Sequence, residues 1–196
     1  MSLAPAQIEK PDVIVPDTGP LIHLAQANAL HLLHEVGSRV VVTDMVAIEA
    51  TANLKKPGAA EIQNWLDRGA SLGSNAPVLI EKTDVGRAFL ASRQADPTFR
   101  WRGAGELAIV EWLRDKVDHT DQAVLVVYEN GRVPRMVGDY GVHADIDVVT
   151  TRAFLELAQR QGIISSADDY WKQVVAAAPT ANPDDVVTMH RKPRSC

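Results

Sequence analysis

Five short runs rich in Val, Leu and Ile punctuate this chain, at Val13–Val15, Val40–Val42, Val78–Ile80, Val124–Val127 and Ile146–Val149, and each precedes a longer segment of helical patterning. A strand whose apolar residues are continuous, not alternating with polar ones, is covered on both faces. Parallel strands have that property, because the crossover between them is usually a helix that packs on the sheet. The alternation therefore restricts the chain to an α/β architecture with a mainly parallel central sheet of about five strands.

The punctuation agrees. Thr43 or Asp44 can cap a helix running to about Asn53, where Lys55-Lys56-Pro57-Gly58 breaks it. Gly58–Arg68 is a second helical stretch, and Asp84 opens another that ends near Asp96-Pro97. Thr150 or Thr151 caps Arg152–Gln161, with Gly162 just beyond its end, and Ser165/Ser166 opens the helix that carries Tyr170, Trp171 and Val174. Asp118-His119-Thr120-Asp121, before the fourth run, reads as a solvated turn. A length of 196 residues accommodates one domain with a sizeable core. The expected organisation is a tail over 1–11, a domain over 12–178, and a C-terminal tail over 179–196 that lacks periodicity and is expected to be mobile.

Composition excludes several classes. No apolar stretch approaches the ~18 residues of a membrane span, and the first ten residues lack a basic segment followed by an apolar one. Cys196 is the sole cysteine and the last residue, so no internal disulfide forms and a reducing cytoplasm is the expected setting. The net charge of −5 argues against a generally basic nucleic-acid binder, although local clusters remain open.

Four acids carry the chemical signal. Asp17 ends the first apolar run, in Val13-Ile14-Val15-Pro16-Asp17-Thr18-Gly19-Pro20, and Glu129 ends the fourth, after Ala123-Val124-Leu125-Val126-Val127-Tyr128. Ligands of open α/β sheets bind beyond the carboxyl ends of the strands, and a carboxylate buried there is costly without a cation or donor beside it. Helical phase adds two more. Ile109, Val110 and Leu113 follow Glu106 by three, four and seven residues, so Glu106 heads an apolar face. Met45 and Val46 precede Glu49 by four and three, whereas Glu111 and Asp115 fall nearer the polar side. An oxygen-only set without matching Cys or His favours Mg²⁺ or Mn²⁺ and points to metal-dependent phosphodiester hydrolysis. Thr18 can hydrogen-bond a carboxylate or a metal-bound water. Three of the acids also have a plainer role: Asp17 as a helix cap, Glu49 as a helical glutamate with its head in solvent, and Glu129 as the opening of a turn.

These motifs, in this order, resemble the acidic motifs of PIN-domain nucleases: the strand with Asp17-Thr18-Gly19-Pro20, then Glu49 in Thr-Asp-Met-Val-Ala-Ile-Glu-Ala, then Gly-Ala-Gly-Glu106-Leu-Ala-Ile. Val148-Val149-Thr150-Thr151-Arg152 resembles the family's closing strand–helix junction. The likeness covers about 12–178 and implies a three-layer α/β/α fold and an RNA endonuclease with a Mg²⁺ or Mn²⁺ centre held by Asp17, Glu49, Glu106 and Glu129. Many small bacterial members are toxin ribonucleases of VapC type, often homodimeric and neutralised by a cognate antitoxin protein, so those partners are implied too. The chain departs at the fourth motif, where Glu129-Asn130 replaces the usual aspartate or aspartate pair.

Basic residues cluster near the acids in sequence. Arg87, Arg93, Arg100 and Arg102 precede Glu106, with Phe99 and Trp101 interleaved, and Arg132 and Arg135 follow Glu129. Arginines that hold phosphates beside an aromatic that stacks on a base are a usual mode for single-stranded RNA, so Arg100, Trp101, Arg102, Arg132 and Arg135 are candidate RNA contacts. A solvated loop pinned by one buried aromatic accounts for Phe99–Arg102 equally well. His23, within an apolar stretch, reads as a packing histidine. Three function classes follow: a metal-dependent endoribonuclease of toxin type, a degenerate PIN-like RNA-binding protein without activity, and a metal-dependent phosphatase.

Overall fold

The computed structural model describes residues 10–71, 76–117, 121–129, 132–139, 146–178 and 188–189. The predicted turn around His119, Asn130 beside Glu129, residues 1–9 and most of the C-terminal tail lie outside them.

Six strands form one sheet in the order β3-β2-β1-β4-β5-β6. The strands are β1 (Val13–Pro16), β2 (Arg39–Thr43), β3 (Val78–Glu81), β4 (Val124–Tyr128), β5 (Ile146–Thr150) and β6 (Thr188–Met189). The first five are parallel, as the five apolar runs require, and β6 joins β5 antiparallel. The two central strands, β1 and β4, are buried along their whole length, which is why their sequences do not alternate. Pairing of Pro16 with Val127 brings the ends of β1 and β4 level.

The helices are α1 (Thr18–Gln26), α2 (Leu32–Val36), α3 (Asp44–Thr51), α4 (Ala59–Ala70), α5 (Asp84–Ala95), α6 (Ala104–Trp112), α7 (Arg132–Asp139), α8 (Thr151–Arg160) and α9 (Ala167–Ala177). Together they make a PIN-like three-layer α/β/α arrangement. Several ends follow from capping chemistry. The Thr150 hydroxyl accepts from the Ala153 amide at 3.2 Å, the Ser166 hydroxyl accepts from the Asp169 amide at 3.2 Å, and Gly162 takes the left-handed conformation after α8. Thr43 stands at the N-cap of α3, but its buried hydroxyl makes no hydrogen bond. Asp44 instead clasps the next crossover: its carboxylate accepts from the Thr83 amide at 3.2 Å, the Thr83 hydroxyl at 2.8 Å and the Met45 amide at 2.9 Å. Glu111, expected on the polar side, caps α5 by accepting from the amides of Asp84 and Val85 at 2.5 and 2.9 Å.

The main core lies between the sheet and its helices, with Phe154, Ile14, Leu21 and Ile109 fully enclosed. A smaller cluster, Met45, Phe89, Ala104 and Ala108, is edged by Phe99 and Trp101 and ties α3, α5 and α6 together. That cluster fixes the start of α6, and hence where Glu106 is held.

Candidate functional site

Strand order reverses between β1 and β4: β2 and β3 lie on one side of β1, and β5 lies beyond β4. Such a switch point opens a crevice at the carboxyl ends of the strands. Asp17 directly follows β1 there, and its amide donates to the Val127 carbonyl at 2.8 Å. Glu129 directly follows β4. Glu49 comes from α3 and Glu106 from the first turn of α6, where the helix dipole favours an acid.

Hydrogen bonds tie Glu49 to the elements that carry two of the other acids. The Thr18 hydroxyl donates to Glu49 Oε2 at 3.1 Å, and the Gly105 amide donates to Glu49 Oε1 at 3.2 Å. Glu49 is therefore tied both to the neighbour of Asp17 and to the neighbour of Glu106. Two glycines make this closeness possible. A Cβ on Gly105 would stand 2.8 Å from Glu49 Oε2, and one on Gly19 would stand 2.8 Å from Glu129 Cγ. Gly103, left-handed at φ +82°, begins α6 beside Arg132 and Glu106.

Asp17 is the most confined of the four, with 4% of its surface exposed. Burial pushes its carboxyl up to about 7; the Thr18 amide opposes the rise, while the charges of Glu106, Glu49 and Glu129 add to it. Although Asp17 stands at the N-cap of α1, its carboxylate forms no capping hydrogen bond, so the plainer reading as a helix cap does not describe it. Burial likewise holds the Glu49 carboxyl above its ordinary value, against the Thr18 hydroxyl and the Gly105 amide, with Glu106 adding to the rise.

Two basic side chains stand beside the other acids. Arg132 Nη1, on α7, lies 3.8 Å from Glu106 Oε1. His23 Nδ1 lies 3.1 Å from Glu129 Oε1, and neither of these two buried atoms makes a hydrogen bond. His23, read from sequence as a packing residue, thus reaches the site; its local pattern carries no signal of this, because Glu129 arrives beside it only through the fold.

The remaining candidates sit around this centre. Arg135 is exposed one turn after Arg132 on α7, which packs against α6. Arg102 is exposed directly before Gly103. Arg100 donates to the carbonyls of Thr98 and Phe99, and Trp101 is half-buried against the Met45–Phe89 cluster. Arg87 pairs with Asp84, and Arg93 lies over the Phe89 ring at 5.7 Å.

Residues 13–76 match a family model, DUF3368, described as a PIN domain. This part of the chain is similar to PIN domains. The matched PIN segment runs from β1 to just before β3 and contains Asp17, Thr18 and Glu49, while Glu106 and Glu129 join them through the tertiary fold. No curated protein and no solved structure matches the chain.

PIN-domain nucleases generally use divalent metal ions. Among the described residues of this PIN-like fold, no three acids or histidines already stand as ligands to one point. The donor chemistry nonetheless fits a hard cation: four carboxylates, one of them held near neutrality by burial and repulsion, and a buried Glu129 Oε1 that makes no hydrogen bond.

Proposed function

We propose that this PIN-domain chain is a divalent-metal-dependent endoribonuclease and the toxin component of a type II toxin–antitoxin pair. The observation that carries the reading is the burial of Asp17 at the switch point, which pushes its carboxyl up to about 7, with three further acids near enough that their charges add to the rise. An acid cluster of this kind is costly in a fold and useful to a protein that binds a cation there. Asp17, Glu49, Glu106 and Glu129 would hold Mg²⁺ or Mn²⁺. When bound, that ion supplies a Lewis acid for phosphodiester oxygens and a water of lowered pKa.

The chain's own groups do the rest. Thr18 and Gly105 hold the Glu49 carboxylate in one orientation. Arg132, half-exposed at the edge of the cluster, is placed to exchange Glu106 for a substrate phosphate, with exposed Arg135 one turn further along α7 and exposed Arg102 directly before Gly103 as further phosphate contacts. RNA as substrate, the cognate antitoxin and the homodimer rest on the likeness of the motifs to toxin ribonucleases. The test is cleavage of a generic single-stranded RNA with Mn²⁺, expected to stop on chelation and in Asp17→Asn. A small phosphomonoester assay covers the phosphatase alternative.

A second reading has an observation of its own. Arg132 stands beside Glu106 and His23 beside Glu129, so two of the four acids already have a protein neighbour where a cation would sit, which suits a PIN-like RNA-binding protein without hydrolysis. RNA retention without cleavage at any Mn²⁺ concentration would select it.

A further inference from the structure

We propose that Gly19 and His23, four residues apart on one face of α1, form a cradle that positions Glu129 in the acid cluster, with His23 as a positioning residue. The proposal rests on the reading of the cluster as a divalent-cation site and adds residues to it. Glu129 leaves the sheet at the end of β4 and must reach towards Asp17 at the end of β1, so its side chain passes over the first turn of α1. There the helix offers no side chain: a Cβ at Gly19 would stand 2.8 Å from Glu129 Cγ and 2.9 Å from Glu129 Cβ. Those atoms lie near the Glu129 backbone, not at a flexible tip, so they have little room to yield.

One helical turn further on, His23 Nδ1 lies 3.1 Å from Glu129 Oε1. Both side chains are largely buried, at 14% and 17% exposure, and each of these two atoms makes no hydrogen bond. At this distance, a rotation that aims Nδ1–H at the carboxylate makes it a hydrogen-bond donor to Glu129. Groups that orient a ligating side chain in this way are worth about 10–100-fold in metal affinity.

Mn²⁺ affinity, read from thermal stabilisation by Mn²⁺ alone without RNA, tests the cradle in the full-length protein. His23→Ala is expected to weaken Mn²⁺ binding about tenfold, and His23→Gln, which keeps an N–H donor, to recover part of that loss. Gly19→Ala is expected to weaken it similarly, although alanine is the better helix residue at that position. Wild-type affinity in His23→Ala and Gly19→Ala would overturn the proposal. A metal-free measurement separates it from the cation reading: a double-mutant cycle of His23→Ala and Glu129→Gln in urea unfolding, expected to couple by about threefold or more in the folding equilibrium constant. If the wild type does not respond to Mn²⁺, the cation reading fails and the cycle alone decides, an additive cycle overturning the cradle and a coupled one sustaining it.

Discussion

Replacing Asp17 with asparagine should stabilise the metal-free protein, and by an amount that grows with pH. Asp17 is 4% exposed, and its carboxyl is pushed from an ordinary 3.8 up to about 7, chiefly by burial. An acid raised in the folded state imposes no penalty below its unfolded value, a growing one as pH rises from there, and a constant one above its folded value. The wild type therefore loses stability between pH 3.8 and about 7. The linkage amounts to about 2 kcal/mol near pH 5 and about 4 kcal/mol by pH 8. Asparagine keeps the shape and the acceptor for the Thr18 amide but never ionises, so it escapes that loss, and Glu49, Glu106 and Glu129 lose a neighbouring charge. Urea unfolding of both proteins in chelator, at several pH values from 5 to 8, gives the difference directly; titration of the other acids largely cancels in it. Saturating Mn²⁺ should then narrow or reverse the gap, because the cation stabilises only the protein that binds it well. A difference that stays flat across this pH range, or an asparagine variant less stable than wild type at pH 8, would refute the claim that Asp17 is a buried, repelled charge.

Four further outcomes are expected. Glu106→Gln should leave the circular dichroism spectrum intact while RNA cleavage with Mn²⁺ falls to background; wild-type turnover would remove Glu106 from the catalytic set. Asp44→Ala leaves the Thr83 amide and hydroxyl without their acceptor and should lower unfolding stability by about 1–3 kcal/mol, with Mn²⁺ affinity unchanged, because Asp44 clasps a crossover instead of joining the site. Trp101→Ala should destabilise the fold by about 2 kcal/mol through the Met45–Phe89 cluster, so a loss of RNA affinity without a loss of stability would reassign Trp101 to base stacking. Arg132→Ala and Arg135→Ala should each make the salt dependence of single-stranded RNA binding shallower by about 0.7 in the log–log slope, measured by titration at several salt concentrations.

The architecture was legible in the sequence because burial on both faces leaves a one-dimensional trace. β1 and β4 are enclosed, so they read as unbroken Val, Ile and Leu runs, and each helix start that a Thr or Ser caps announces itself locally. The four acids were legible for related reasons: two stand at the ends of such runs, and two share a helical face with apolar neighbours. Partnership was not legible. Glu111 reads as a polar-face residue yet caps a helix 26 and 27 residues upstream, and Asp44 reads as a helix start yet accepts from Thr83, 39 residues away. His23 and Gly19 read as part of an apolar helix until β4 arrives with Glu129, more than a hundred residues later. Local patterns record how deeply a residue is buried and in which element, because those properties repeat along the chain. Which charge faces which depends on the order of strands in the sheet, and the reversal between β1 and β4 that brings Asp17 and Glu129 together exists only once the chain has folded.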